Sequence, residues 1–252
     1  MLATTRMIPV LTAAALVVLA SAVPRSANAQ WPPERLENLE VLPKDISVRE
    51  LIGVMRGFAG GLGVRCTYCH VGEEGQPLST YDFPADDKET KEKARVMLRM
   101  VGHINGTHLA DLPGDPVDRL TVTCATCHRG QPRPLTLTEA LTEVLDEHGI
   151  DSAVARYHTL RDRFYGRATY DFGEFSLNGL GYRLLRSDRA DEAVAIFQLN
   201  TEMFPESANG YDSLGDGLKG AGKPQAALRS YLAAFELDPA MRGLQARIDS
   251  LR

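Results

Sequence analysis

The sequence predicts an all-α chain built from two different helical halves. Apolar residues recur at helical spacing along most of its length, and the alternation typical of strands is nearly missing. The second half also repeats itself at an interval of 34 residues.

At 252 residues the chain can hold one large domain or two modest ones. Apolar residues make up 44% and charged residues 24%, the proportions of an ordinary globular protein. Lys and Arg number 28 against 33 Asp and Glu, a net charge of −5. That balance argues against nucleic acid as a partner and against a polybasic membrane anchor. Residues 1–29 read as a signal peptide. Arg6 supplies the positive start, Ile8 to Val23 the apolar run, and Ala27-Asn28-Ala29 the small-x-small pattern cut before Gln30. The run is shorter than the roughly 20 residues that span a bilayer. The mature chain is therefore expected to lack a membrane span and to work in the periplasm or another extracytoplasmic space.

Residues 30–134 form the first predicted domain. Ser47-Val48-Arg49-Glu50 has the form of a capping box. Leu51, Ile52, Met55, Phe58, Ala59 and Leu62 then line one helical face, and Gly60, Gly61 and Gly63 stop the helix. Cys66-Thr67-Tyr68-Cys69-His70 follows at once. The plan then repeats. Asp86 or Asp87 opens a helix with Ala94, Met97, Leu98, Val101 and Ile104 as its stripe, and Asn105-Gly106 closes it. After a polar loop comes Cys124-Ala125-Thr126-Cys127-His128.

Both cysteine clusters are C-x-x-C-H, the pattern of c-type haem attachment. Two thiols at this spacing match the two vinyl groups on one edge of a haem, and the adjoining histidine reaches the iron. Two such motifs behind a signal peptide use every cysteine in the chain. They predict two covalent haems, held by Cys66 and Cys69 and by Cys124 and Cys127, with His70 and His128 as proximal ligands. Zinc binding, redox dithiols and simple disulfides are the competing readings; none needs a histidine directly after both pairs. A soft, neutral thioether would suit the sixth position of an electron carrier. Met55 is the candidate for the first iron and Met97 for the second. Met100 covers nearly the same face as Met97 and is its rival, and His103 and His108 lie nearby. The alternative for each methionine is an ordinary core position.

The strings Val41-Leu42-Pro43-Lys44, Gly63-Val64-Arg65-Cys66, Asp86-Asp87-Lys88, Ala94 to Met100, Ile104-Asn105 and Val122 to Gly130 resemble the multihaem cytochrome subunit of photosynthetic reaction centres. The resemblance spans about residues 40–134. It implies a helix, turn and C-x-x-C-H plan at each haem, with methionine as the usual sixth ligand. Met55 then matches the first site's helix methionine. Met97 matches the first methionine of the Met-Leu-x-Met string, which favours it over Met100. The family's familiar members hold four attachment motifs and this chain holds two, so the resemblance implies a two-haem electron-transfer module.

Gln131 to Leu137 reads as a proline-bearing linker, and residues 135–252 as a second domain. Leu180, Gly181, Leu184, Ala193, Phe197 and Pro205 recur 34 residues on as Leu214, Gly215, Leu218, Ala227, Tyr231 and Pro239. This half resembles tetratricopeptide repeats. Leu137–His148 and Ser152–Phe164 read as a degenerate leading repeat, and Met241–Leu251 as a closing helix. Tyr157, Tyr165, Tyr170 and Phe172 either line a groove or pack the repeats. The function expected is a di-haem electron carrier, not an enzyme, whose repeats dock a redox partner protein. The alternatives are a peroxidase-like enzyme with one open iron and a haem-bearing scaffold or sensor.

Overall fold

A computed structural model describes residues 31–115 and 120–252; the expected signal peptide lies outside the described residues. Helices dominate. α1 runs Val48–Leu62, α2 Glu89–His103, α3 Cys124–His128, α4 Leu137–His148 and α5 Ile150–Phe164. Then come α6 Glu174–Arg186, α7 Ala190–Met203, α8 Ala208–Gly220, α9 Pro224–Leu237 and α10 Leu244–Asp249. Among the described residues there is no sheet, only an isolated bridge between Val71 and Asp82.

α1 starts where its capping box predicts. The Glu50 amide donates to the Ser47 hydroxyl at 3.3 Å, and the Ser47 amide donates to the Glu50 carboxylate at 3.0 Å. The helix ends at Gly63, whose φ of 65° suits a residue without Cβ. α2 departs from expectation at both ends. Asp86 does not open it, because its carboxylate is already engaged by Asn38 at 2.9 Å, Lys91 at 2.9 Å and Arg95 at 3.0 Å. Those donors, Lys91 first, hold the Asp86 carboxyl well below the usual range. Asp86 therefore ties α2 sideways, and the helix begins at Glu89. At the far end the chain does not stop at Asn105-Gly106 but widens into a π-type turn over Ile104–His108.

The two halves differ in how they bury surface. Among the described residues, every buried apolar side chain lies at or beyond Leu137. Among the described residues of 31–134, only Gly61 and Arg95 are buried. In the second half, paired helices close on each other through small residues. A Cβ on Gly181 would fall 2.7 Å from Phe197 Cζ, and one on Gly215 would fall 2.9 Å from Tyr231 Cζ. Both aromatic rings are fully buried, as are Ala193 and Ala227. α7 and α9 each end two residues before a proline, because the residue ahead of a proline is pushed out of helical geometry.

Of the four aromatic groove candidates, Tyr157, Tyr170 and Phe172 are buried in the core, and only Tyr165 is exposed. The closing helix is shorter than Met241–Leu251, since Gly243 sits at φ 81° and α10 starts after it. Leu244 and Ile248 bury one face of α10, and Arg247 reaches Asp212 at 2.9 Å. Leu137, placed above at the end of the linker and at the start of the Leu137–His148 helix, opens α4 behind a Thr136–Glu139 capping box, and α4 ends at His148 as expected. The halves also touch directly. Arg129 Nη1 donates to the Ala168 carbonyl at 3.2 Å, and the Thr169 hydroxyl donates to the Arg129 carbonyl at 3.0 Å.

Candidate functional site

Both cysteine-histidine segments meet at the C-terminal end of α1. Gly61 is buried there, and a Cβ on it would lie 3.1 Å from Ala125 N and 3.2 Å from Cys124 Cβ. The Gly130 amide donates to the Gly61 carbonyl at 2.9 Å. A Cβ on Gly63 would overlap the Gly130 carbonyl oxygen and lie 2.8 Å from its carbon. The glycines that stop α1 therefore also let α3 approach. Gly63 precedes Cys66 by three residues and Gly130 follows His128 by two, so chain geometry holds the two segments within roughly 25 Å.

α2 braces the same two segments from its opposite ends. At its start, the Lys88 ammonium donates to the Thr67 carbonyl and the Thr90 hydroxyl to the Tyr68 carbonyl. Just past its end, Asn105 pairs with Val122 in both directions, each bond 2.8 Å. Val122 lies two residues before Cys124. Arg95, in mid-helix, is only 7% exposed and reaches Glu40 at 3.1 Å, Asp86 at 3.0 Å and Glu92 at 3.1 Å. Sequence reasoning missed the bracing roles of Lys88, Arg95 and Asn105. An arginine set beside the apolar stripe, between Ala94 and Leu98, was the one available signal.

The two histidines share a geometry. His70 Nδ1 lies 3.2 Å from the Phe83 carbonyl, and His128 Nδ1 lies 2.8 Å from the Gln131 carbonyl. A carbonyl only accepts, so Nδ1 carries the proton in both rings and Nε2 presents its lone pair. Burial, reinforced by the charge of Lys91, pushes His70 below its ordinary pKa and favours the neutral ring. All four thiols are unbridged. Burial pushes Cys69 and Cys124 above the usual thiol value. Among the described residues no group of three or more His, Cys, Asp and Glu side chains converges.

The methionines are less enclosed than a core position requires. Met55 is half-buried on α1, and Met97 and Met100 are each 47% exposed on α2. His103 and His108 meet edge to face with ring centres 5.1 Å apart, both exposed. The structure thus places Met97 and Met100 at equal exposure, and it leaves the choice between them to ligand chemistry.

The family model described as photosynthetic reaction centre cytochrome C subunit matches residues 5–161. The chain belongs to this family. Cytochrome c-554 of Chloroflexus aurantiacus is 31% identical over 106 residues, 38% of this chain and 23% of that protein. The photosynthetic reaction center cytochrome c subunit of Rubrivivax gelatinosus is 31% identical over 93 residues, 33% of this chain and 23% of that protein. The chain thus spans about a quarter of the length of these curated relatives. Among solved structures, the first TPR of Spaghetti (RPAP3) bound to an HSP90 peptide matches at 15% identity and a TM-score of 0.32. That match covers 46% of this chain and 86% of that one.

Family membership implies c-type haem, and the residues present fit it. The donor set is right in kind: free thiols at the vinyl spacing, each pair followed by an imidazole with Nε2 available. The surroundings fit as well. Ile52, Met55 and Phe58 on α1, Val101 on α2 and Ile104 just past its end are only partly covered by protein, an apolar lining of the type a porphyrin face packs on. No helix among the described residues is long and apolar enough to cross a membrane.

Proposed function

We propose that the chain is an extracytoplasmic di-haem c-type cytochrome, an electron carrier rather than an enzyme, with a helical repeat domain for docking a redox partner. The observation that carries the reading is the repeated histidine geometry. Two C-x-x-C-H segments each hold Nδ1–H on a backbone carbonyl, which fixes the ring and turns Nε2 outward as a ligand. Cys66 and Cys69 would bind one haem and Cys124 and Cys127 the other, with His70 and His128 on the irons. Bound haem supplies one-electron chemistry at iron. The chain's own part is to hold the two groups close and rigid, through the glycines of α1 and the braces of α2.

Met55 and Met97 are proposed as the sixth ligands, with Met100 as rival to Met97. Met97 is 47% exposed and Met55 is partly buried, both on incompletely covered helix faces, which supports a ligand role over a core role. Domains of 30–134 and 135–252 behind a cleaved segment 1–29 complete the proposal. A tetratricopeptide-like array is supported by two helix pairs, α6–α7 and α8–α9, that bury an equivalent glycine–aromatic contact 34 residues apart. Antiparallel pairs stacked in this way expose one long face for a partner.

The test is stoichiometry. Protein from a host that matures c-type cytochromes should hold two haems that survive acid-acetone extraction, and Cys66→Ala with Cys69→Ala should leave one. No covalent haem, or a chelatable metal instead, refutes the reading. Carbon monoxide separates the methionines: Met→Ala at the true ligand opens that iron, and Met→Ala at its neighbour does not.

A further inference from the structure

We propose that the cleft between the second attachment segment and the α5–α6 turn docks an acidic loop of a partner protein. The cleft holds about 830 Å³ and is lined by Arg129, Arg163 and Arg167 together with Gly63, Gly130 and Thr169. No Asp or Glu lines it. In a chain with 33 acidic and 28 basic residues, a concavity of three arginines is segregated charge. None of the three carries an ion pair among the described residues. Their positive charge is left to a partner.

Two of the three guanidinium groups are held in place. Arg163 lies over the Phe164 ring at 4.9 Å. Arg129 bonds the Ala168 carbonyl while Thr169 bonds the Arg129 carbonyl, a reciprocal clamp across the cleft. Arg129 and Ala168 also sit at φ 49° and 55°, where residues with a Cβ are strained. The fold spends local stability to shape this junction. Arg129 directly follows His128, so a loop seated here lies against the second attachment segment.

Shape selects the occupant. A single inorganic anion fills a small part of 830 Å³. A bilayer surface is flat and meets the rim of a concavity rather than its floor. A protruding loop with several carboxylates does both, and arginine matches carboxylate in bidentate geometry. This goes beyond the proposed carrier function and rests on it only in making the partner a redox protein.

The experiment measures binding of a labelled oligoglutamate peptide to the full-length haem-loaded protein by fluorescence anisotropy at low salt. The peptide should bind, and added salt should weaken it. Arg163→Gln with Arg167→Gln should weaken it about tenfold or more, whereas Arg163→Lys with Arg167→Lys should retain most of it. Arg229→Gln with Arg242→Gln, an equal charge change on exposed sites outside the cleft lining, should leave it unchanged. Equal loss in both Gln pairs, no binding, or displacement of the peptide by micromolar inorganic phosphate overturns the proposal. So does binding to equimolar phosphatidylcholine–phosphatidylglycerol vesicles in place of the peptide. Haem content is read on the same samples. Missing haem with intact peptide binding refutes the carrier reading and leaves the cleft standing.

Discussion

Gly63→Ala should damage the second C-x-x-C-H segment although Gly63 adjoins the first. Two costs add. At φ 65° an alanine pays about 1–2 kcal/mol that glycine does not. Its Cβ would also overlap the Gly130 carbonyl, and backbone cannot swing aside as a side-chain tip can. Relieving the overlap moves Gly130 and breaks its amide bond to Gly61, worth about 1 kcal/mol. The sum is about 2–3 kcal/mol, or a melting point lower by roughly 4–12 °C for a chain of this size. Gly60→Ala is the internal control. It lies inside α1 with nothing within 4 Å of its Cβ, and it should stabilise by about 0.5–1 kcal/mol. The assay is thermal unfolding followed in the haem bands, with variants lacking Cys66 and Cys69 reporting on the second haem alone. If Gly63→Ala leaves that second signal and its melting point unchanged, the α1–α3 contact is not what holds the segments together.

Three further outcomes follow from the packing and the charges. Gly181→Ala should destabilise by about 1–3 kcal/mol through overlap with the Phe197 ring, and Gly215→Ala should do the same against Tyr231. Chemical denaturation of the full chain checks whether the two costs match. Met100→Ala should cost well under the 2–5 kcal/mol of a buried methionine, because the side chain is 47% exposed; a melting curve reads this directly. Asp86 has a depressed carboxyl pKa, so its stabilising effect is complete above the unfolded value of about 4 and is lost as pH falls through the lower folded value. Asp86→Asn should therefore be less stable than the native chain at pH 7, and an acid titration followed by circular dichroism should show that gap closing at low pH.

The two C-x-x-C-H segments proposed to hold haem are legible in the sequence, because two thiols at one spacing with an adjoining imidazole form a local pattern. The α1 capping box was local too, made by residues three apart. So was the 34-residue period, since each repeat places the same small residue opposite the same aromatic. What the sequence could not state was the joint between the segments. Gly61 and Gly63 look like a helix stop, and only the approach of Cys124, Ala125 and Gly130 reveals their second task. Asp86 looked like a helix opener for the same reason. Its partners Asn38 and Arg95 lie far from it in sequence or on the next turns of α2, and their joint claim outweighs a cap. Local chemistry depends on neighbours along the chain and is written in order. Close approach and charge pairing across the fold depend on where the backbone goes, and for this chain the tertiary structure alone decided that both C-x-x-C-H segments meet at the end of α1.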